Sequence, residues 1–138
     1  MKYYLRVTSI FVAILLFFSG CAYSGGVASK EFGPAMLRLS SAVQGVAERP
    51  EDYGFTPGGT GEECIHLAVE DDPGLLTPFE GYILKAKCES LQAVVLLCDS
   101  QGRNVLMEDA GCTAQLDSRA EGILRACSFS LETTQVCK

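Results

Sequence analysis

Met36, Leu39, Val43 and Val46 recur with 3,4,3 spacing, which draws one apolar stripe down a helix and turns Arg38, Ser41, Gln44 and Glu48 outward. Gly33 can cap this helix with Pro34 at its first position, and Pro50 stops it after Arg49. From Glu51 to Glu63 the glycines and prolines, among them Pro57-Gly58-Gly59, predict a loop. The remaining pattern predicts strands. Cys64 to Val69 is a short candidate ended by Asp72-Pro73-Gly74. Tyr82 to Cys88 alternates, with Tyr82, Leu84, Ala86 and Cys88 on one face and Lys85 and Lys87 on the other. Ala93 to Cys98 is wholly apolar, as a central strand buried on both faces requires. The turn at Ser100-Gln101-Gly102-Arg103 returns the chain into a strand from Asn104 to Glu108. Asp117 to Ala126 is ambiguous between helix and loop, and Cys127 to Leu131 alternates as a late strand.

These elements predict an α+β domain with one amphipathic helix across a small, mainly antiparallel sheet. The alternative is a small all-β sandwich with a peripheral helix. No repeat or low-complexity tract interrupts the chain.

The first residues follow a different pattern. Lys2 and Arg6 form a basic head, Val7 to Phe18 is apolar, and Ser19-Gly20-Cys21 closes the segment. The apolar run falls short of the roughly 20 residues that a membrane-spanning helix needs. Ser19-Gly20-Cys21 resembles the lipobox of bacterial lipoproteins, with Phe18 where leucine is usual. The resemblance covers residues 1–21 and implies thioether lipidation of Cys21, cleavage before it and acylation of the new amino terminus. It also implies an outer-membrane address facing the periplasm, because Ala22 rather than aspartate follows the cysteine. An ordinary secretory signal cut near Cys21, or an uncleaved anchor, is the competing reading. On the lipoprotein reading residues 1–20 are signal peptide, 21–32 an anchored, flexible tether, and 33–138 one globular domain. The eight residues Ala22 to Ser29 span about 15 Å as a random coil, so the domain hangs near the lipid surface.

Cysteine arithmetic agrees with this reading. Seven cysteines are an odd set, and lipid on Cys21 leaves six disulfide candidates: Cys64, Cys88, Cys98, Cys112, Cys127 and Cys137. Their pairing is open, with 15 connectivities for six cysteines. No Cys-x-x-Cys motif points to zinc or redox chemistry, and His66 is the only histidine. No metal and no cofactor is expected.

Of 11 basic residues Lys2 and Arg6 leave with the signal, so nine face 17 acidic ones in the mature chain. That balance opposes nucleic-acid binding. Glu62, Glu63, Asp71 and Asp72 belong to an acidic first half and are the candidate contacts for a basic partner. There is no Gly-x-Ser-x-Gly elbow and no phosphate-binding glycine loop, so no catalytic residue is assigned and no enzyme is expected. The expected function is that of a lipid-anchored binding, scaffolding or assembly-accessory module of the bacterial envelope, held by membrane lipid at Cys21 and engaging a protein partner. An inhibitor-type module that binds a cationic ligand, such as a lysozyme-like enzyme, is the alternative, and an envelope hydrolase is the weaker third.

Overall fold

The stripe read from the sequence is the buried face of helix α1, Val27–Glu48. Met36, Leu39, Val43 and Val46 are fully buried, and Phe32 extends the stripe one turn toward the amino terminus. The computed structural model describes residues 27–117, 119 and 125–132. The segment expected to be a signal, Cys21, Cys137 and most of the ambiguous stretch after Asp117 lie outside them.

Two expectations about α1 are corrected. The helix begins at Val27 rather than at Gly33, so part of the expected tether is helical and Pro34 sits inside the helix. A proline there removes one backbone donor. The compensation is aromatic: Phe32 stacks on Phe79 with ring centroids 5.9 Å apart and meets Tyr82 edge-on at 5.0 Å. Gln44 is the second correction. It is buried rather than outward, and it bonds a backbone that the sheet leaves unpaired: Ala93 N–H donates to its Oε1 at 2.8 Å, while its Nε2 donates to the Leu91 carbonyl at 2.8 Å.

Beyond α1 the chain makes a short helix α2, Pro50–Tyr53, closed by Gly54 in the left-handed region at φ 69°. The strand expected from Cys64 is instead helix α3, Gly61–Ala68. Its start is chemically marked. The Thr60 side chain accepts a hydrogen bond from Glu63 N–H at 3.1 Å, and Glu62 and Glu63 place negative charge at the helix amino terminus. Cys64, Ile65 and Val69 are buried, a spacing that suits a helix as well as a short strand. The expected turn at Pro73 is a 3-10 helix, Pro73–Phe79.

The sheet is antiparallel, in the order β1 (Ile83–Glu89), β2 (Gln92–Cys98), β3 (Val105–Ala110). The molecule is therefore the expected α+β arrangement of a helix on a three-stranded sheet, not a sandwich. Ala93, Val95 and Leu97 of β2 face the helices, and Val94, Leu96 and Cys98 face the opposite way. All six are fully buried. The hairpin between β2 and β3 turns on Asp99, whose carboxylate accepts from the backbone N–H groups of Arg103, Gln101 and Asn104. Those bonds, led by the one from Arg103, hold its carboxyl below the ordinary aspartate value.

The second face of the sheet is covered by residues 125–132. Cys127, Phe129 and Leu131 turn inward as the alternation predicts, but this segment is no regular strand. It meets the residue before β3 at a single isolated bridge, Asn104 to Ala126, and makes no further ladder among the described residues.

Two glycines mark where helices touch sheet backbone. A Cβ on Gly61 would lie 1.8 Å from the Ala86 carbonyl oxygen of β1, and one on Gly111 would lie 2.2 Å from the Ser40 carbonyl oxygen of α1. Backbone cannot yield as a side chain can. Gly61→Ala and Gly111→Ala should each cost about 1–3 kcal/mol, lowering Tm by roughly 5–15 °C, as calorimetry would show. Gly58→Ala, with no heavy atom within 4 Å of its Cβ position, pays only for its positive φ and should lose less.

Candidate functional site

Glu108 and Asp109 are the two buried carboxylates of the described residues, and they are adjacent on β3. Successive strand side chains point to opposite faces, so each serves a different layer. The Glu108 carboxylate accepts from Ser130 N–H at 2.7 Å, Leu131 N–H at 2.9 Å, the Ser130 hydroxyl at 2.6 Å and the Arg125 guanidinium at 3.2 Å. This explains the missing late strand, because backbone donors that a ladder would use are spent on a side chain. Asp109 faces α1. It accepts from the Ser40 hydroxyl and from Asp117 N–H at 2.6 Å. Burial pushes its carboxyl above the ordinary value, against the opposing effect of these two bonds. Both carboxylates are enclosed and fully engaged, so their chemistry is structural.

Sequence reasoning missed this pair. Two acidic residues at the end of a return strand read as its solvated tip, and the donors that meet them come from distant, irregular backbone. The only signal was charge inside an otherwise apolar strand.

The cysteines meet as a disulfide framework. Cys64 is bonded to Cys88, tying α3 to β1, and Cys98 to Cys127, tying the outer segment to β2. Cys112 is disulfide-bonded as well. No group of three or more histidine, cysteine, aspartate or glutamate side chains suited to a metal occurs among the described residues.

The four candidate contact residues do not form one cluster. Glu62 and Glu63 stand exposed in the first turn of α3, whereas Asp71 and Asp72 follow its other end. Asp72 also pairs with Arg38 at 3.7 Å, on a surface where such pairs contribute little. His66 is exposed on α3 and has no carboxylate partner among the described residues.

Two apolar concavities accompany these groups. One, of about 120 Å³, lies under the β1–β2 turn between Ala47, Pro50, Phe55 and Leu91. Leu91 is 65% exposed at φ 67° and is held by its N–H to the Ala47 carbonyl at 3.2 Å. The other is an open groove of about 270 Å³ between α3 and the start of β1, lined by Glu62, Ile65, His66, Val69, Leu76 and Leu84. Among the described residues no helix is long and apolar enough to cross a membrane. No protein-family model, curated protein or solved structure matches the chain. Function is therefore read from local chemistry alone.

The buried carboxylates answer differently to loss of charge. Glu108→Gln keeps an acceptor for the Ser130 and Leu131 N–H groups but turns an amide N–H₂ toward the Arg125 guanidinium, leaving that cation without its partner, and should cost about 2–4 kcal/mol. Asp109→Asn keeps an acceptor for Asp117 N–H, and the Ser40 hydroxyl can donate to the Leu37 carbonyl at 3.3 Å instead. The raised carboxyl binds a proton more tightly in the folded chain than in the unfolded one. Wild-type stability from this group therefore falls as pH rises from the ordinary aspartate value through the folded one. Urea unfolding should show Asp109→Asn gaining on wild type through that window and holding the gain above it. A constant difference from pH 3 to 8 would refute the titration of Asp109.

Proposed function

We propose that the protein is a lipid-anchored module of the bacterial envelope that binds a basic protein partner through the α3 face. The observation that carries this reading is how the acidic groups are used. The two buried carboxylates are spent on holding layers together, while Glu62 stands exposed on the lining of an apolar groove and Glu63 and Asp71 stand exposed elsewhere along α3 and its end. A carboxylate beside apolar surface, on a helix with further exposed acidic residues at both ends, suits association with a cationic surface, steering the encounter and then burying hydrocarbon. The amino-terminal segment supplies the address: lipid on Cys21 anchors the chain, and two or more acyl chains make that anchoring stable.

A disulfide framework fits the same address, since such bridges persist outside the cytosol. The partner-binding face lies on the helix side of the sheet, whereas the 125–132 segment seals the other side. A cationic inhibitor target and a basic scaffold component share the same chemistry and are separated by which protein is captured.

Cys21→Ser should abolish labelling by a radioactive fatty acid and halt cleavage at this site. Labelling that persists would overturn the anchor. Charge reversal at Glu62, Glu63, Asp71 and Asp72 together should leave folding intact and weaken partner capture, mainly through slower association and most clearly at low salt. Capture at the wild-type rate by that folded variant would remove the acidic face from the account.

A further inference from the structure

The groove beside α3 has a wall that is backbone as well as side chain. In the β1–β2 ladder the two-residue turn closes on Glu89 and Gln92, so Glu89, Lys87, Lys85 and Ile83 exchange hydrogen bonds with β2. The N–H and C=O groups of Cys88, Ala86 and Leu84 must then point away from β2, toward the free edge. Ala93, opposite Cys88, confirms the alternation: its own N–H and C=O turn from β1 to Gln44 and Gly111. Along that free edge α3 covers two of the three residues. Gly61 lies against the Ala86 carbonyl, and Cys64 is bonded to Cys88. Leu84 alone lines the open groove, and the exposed Tyr82 and Ile83 lie next to it. One N–H and one C=O therefore stand ready at the side of an apolar trough.

We infer that this groove takes an extended peptide segment of a basic partner, which adds to the sheet at Leu84. One apolar side chain of the segment sits among Ile65, Val69 and Leu76, and a lysine or arginine neighbour meets Glu62. Side chains of Glu62, Ile65, His66 and Val69 occur at i, i+3, i+4 and i+7, so one continuous face of α3 looks onto the segment. Among the described residues no lysine or arginine lines the groove and Glu62 does, so a basic segment meets a complementary charge there. Lys85 and Lys87 belong to the other face of β1, where Lys85 donates to the Cys127 carbonyl at 3.4 Å and Lys87 pairs with Glu89 at 3.1 Å. Strand addition supplies main-chain bonds, and the pocket chooses the side chain. With one residue of edge on offer the interaction is weak, with Kd of about 10–500 µM for an isolated peptide.

The inference deepens the proposed binding role and names its site. The test uses the full chain in a nonionic detergent micelle and a fluorescent hexapeptide alternating lysine with valine and leucine. Binding should be seen by anisotropy, and glutamate in place of lysine should weaken it at least tenfold. N-methylation of each peptide amide in turn should find one position that costs at least tenfold. Saturating peptide should slow hydrogen exchange of the Leu84 amide at least tenfold and leave that of Lys85, already bonded within the sheet, unchanged. Glu62→Lys, at an exposed position, should weaken binding at least fivefold. No binding at about 2 mM peptide, equal binding of the glutamate peptide, or unaltered exchange at Leu84 would each overturn the groove. So would a peptide-free dimer in sedimentation that already protects Leu84, since a second copy would then be the occupant. If the groove fails while the quadruple charge reversal still weakens partner capture, the binding role stands and only its site is wrong.

Discussion

Two neighbouring carboxylates on one strand hold the layers of this protein together. A three-stranded sheet whose central strand is apolar on both sides must be covered on both sides. One amphipathic helix can cover only one. Glu108 and Asp109 resolve the difference because strand geometry sends them to opposite faces. Asp109 fastens α1 and the chain at Asp117, and Glu108 fastens the irregular 125–132 segment. A buried carboxylate is costly unless its lone pairs are filled, and with four donors Glu108 meets that condition. Its demand for donors explains why the outer layer is not a fourth strand.

Covalent bonds add to these hydrogen bonds. Cys98–Cys127 ties the outer segment to the central strand, and Cys64–Cys88 ties α3 to the edge strand. Each bridge in a small secreted domain contributes typically about 2–5 kcal/mol. Glycine at 61 and 111 then allows backbone-to-backbone approach that any side chain would block. The close contact at Gly61 has a functional corollary. By covering the middle of the β1 edge, α3 limits the unpaired backbone to the neighbourhood of Leu84, which restrains edge-to-edge aggregation.

How much of this the sequence displays depends on the range of the interaction. The α1 stripe, the apolar run of β2 and the Asp99 turn are governed by neighbours, and all three are legible. Helix α3 is not, because Cys64-Ile65 and Ala68-Val69 satisfy helical and extended spacing alike over so short a run. Thr60 with Glu63 was the local sign that favours the helix. Gln44 sits among outward-facing positions by periodicity, yet it turns inward because Ala93 and Leu91 have backbone groups that need partners. Pro34 reads as a helix start, whereas the turns before it pack through Phe32 on the distant Phe79 and Tyr82. Of the candidate site, the acidic residues were legible and their division between the two ends of α3 was not. The groove at Leu84 depends on strand register and helix placement together, which no local pattern encodes.

Amide hydrogen exchange tests the central claim most directly, because three of the decisive donors lie outside any helix or strand. If buried carboxylates replace the ladder, the amides of Ser130 and Leu131, bonded to Glu108, and of Asp117, bonded to Asp109, should exchange as slowly as amides of the surrounding sheet. Exchange at the rate of an unstructured peptide at these three positions, with β2 still protected, would contradict it.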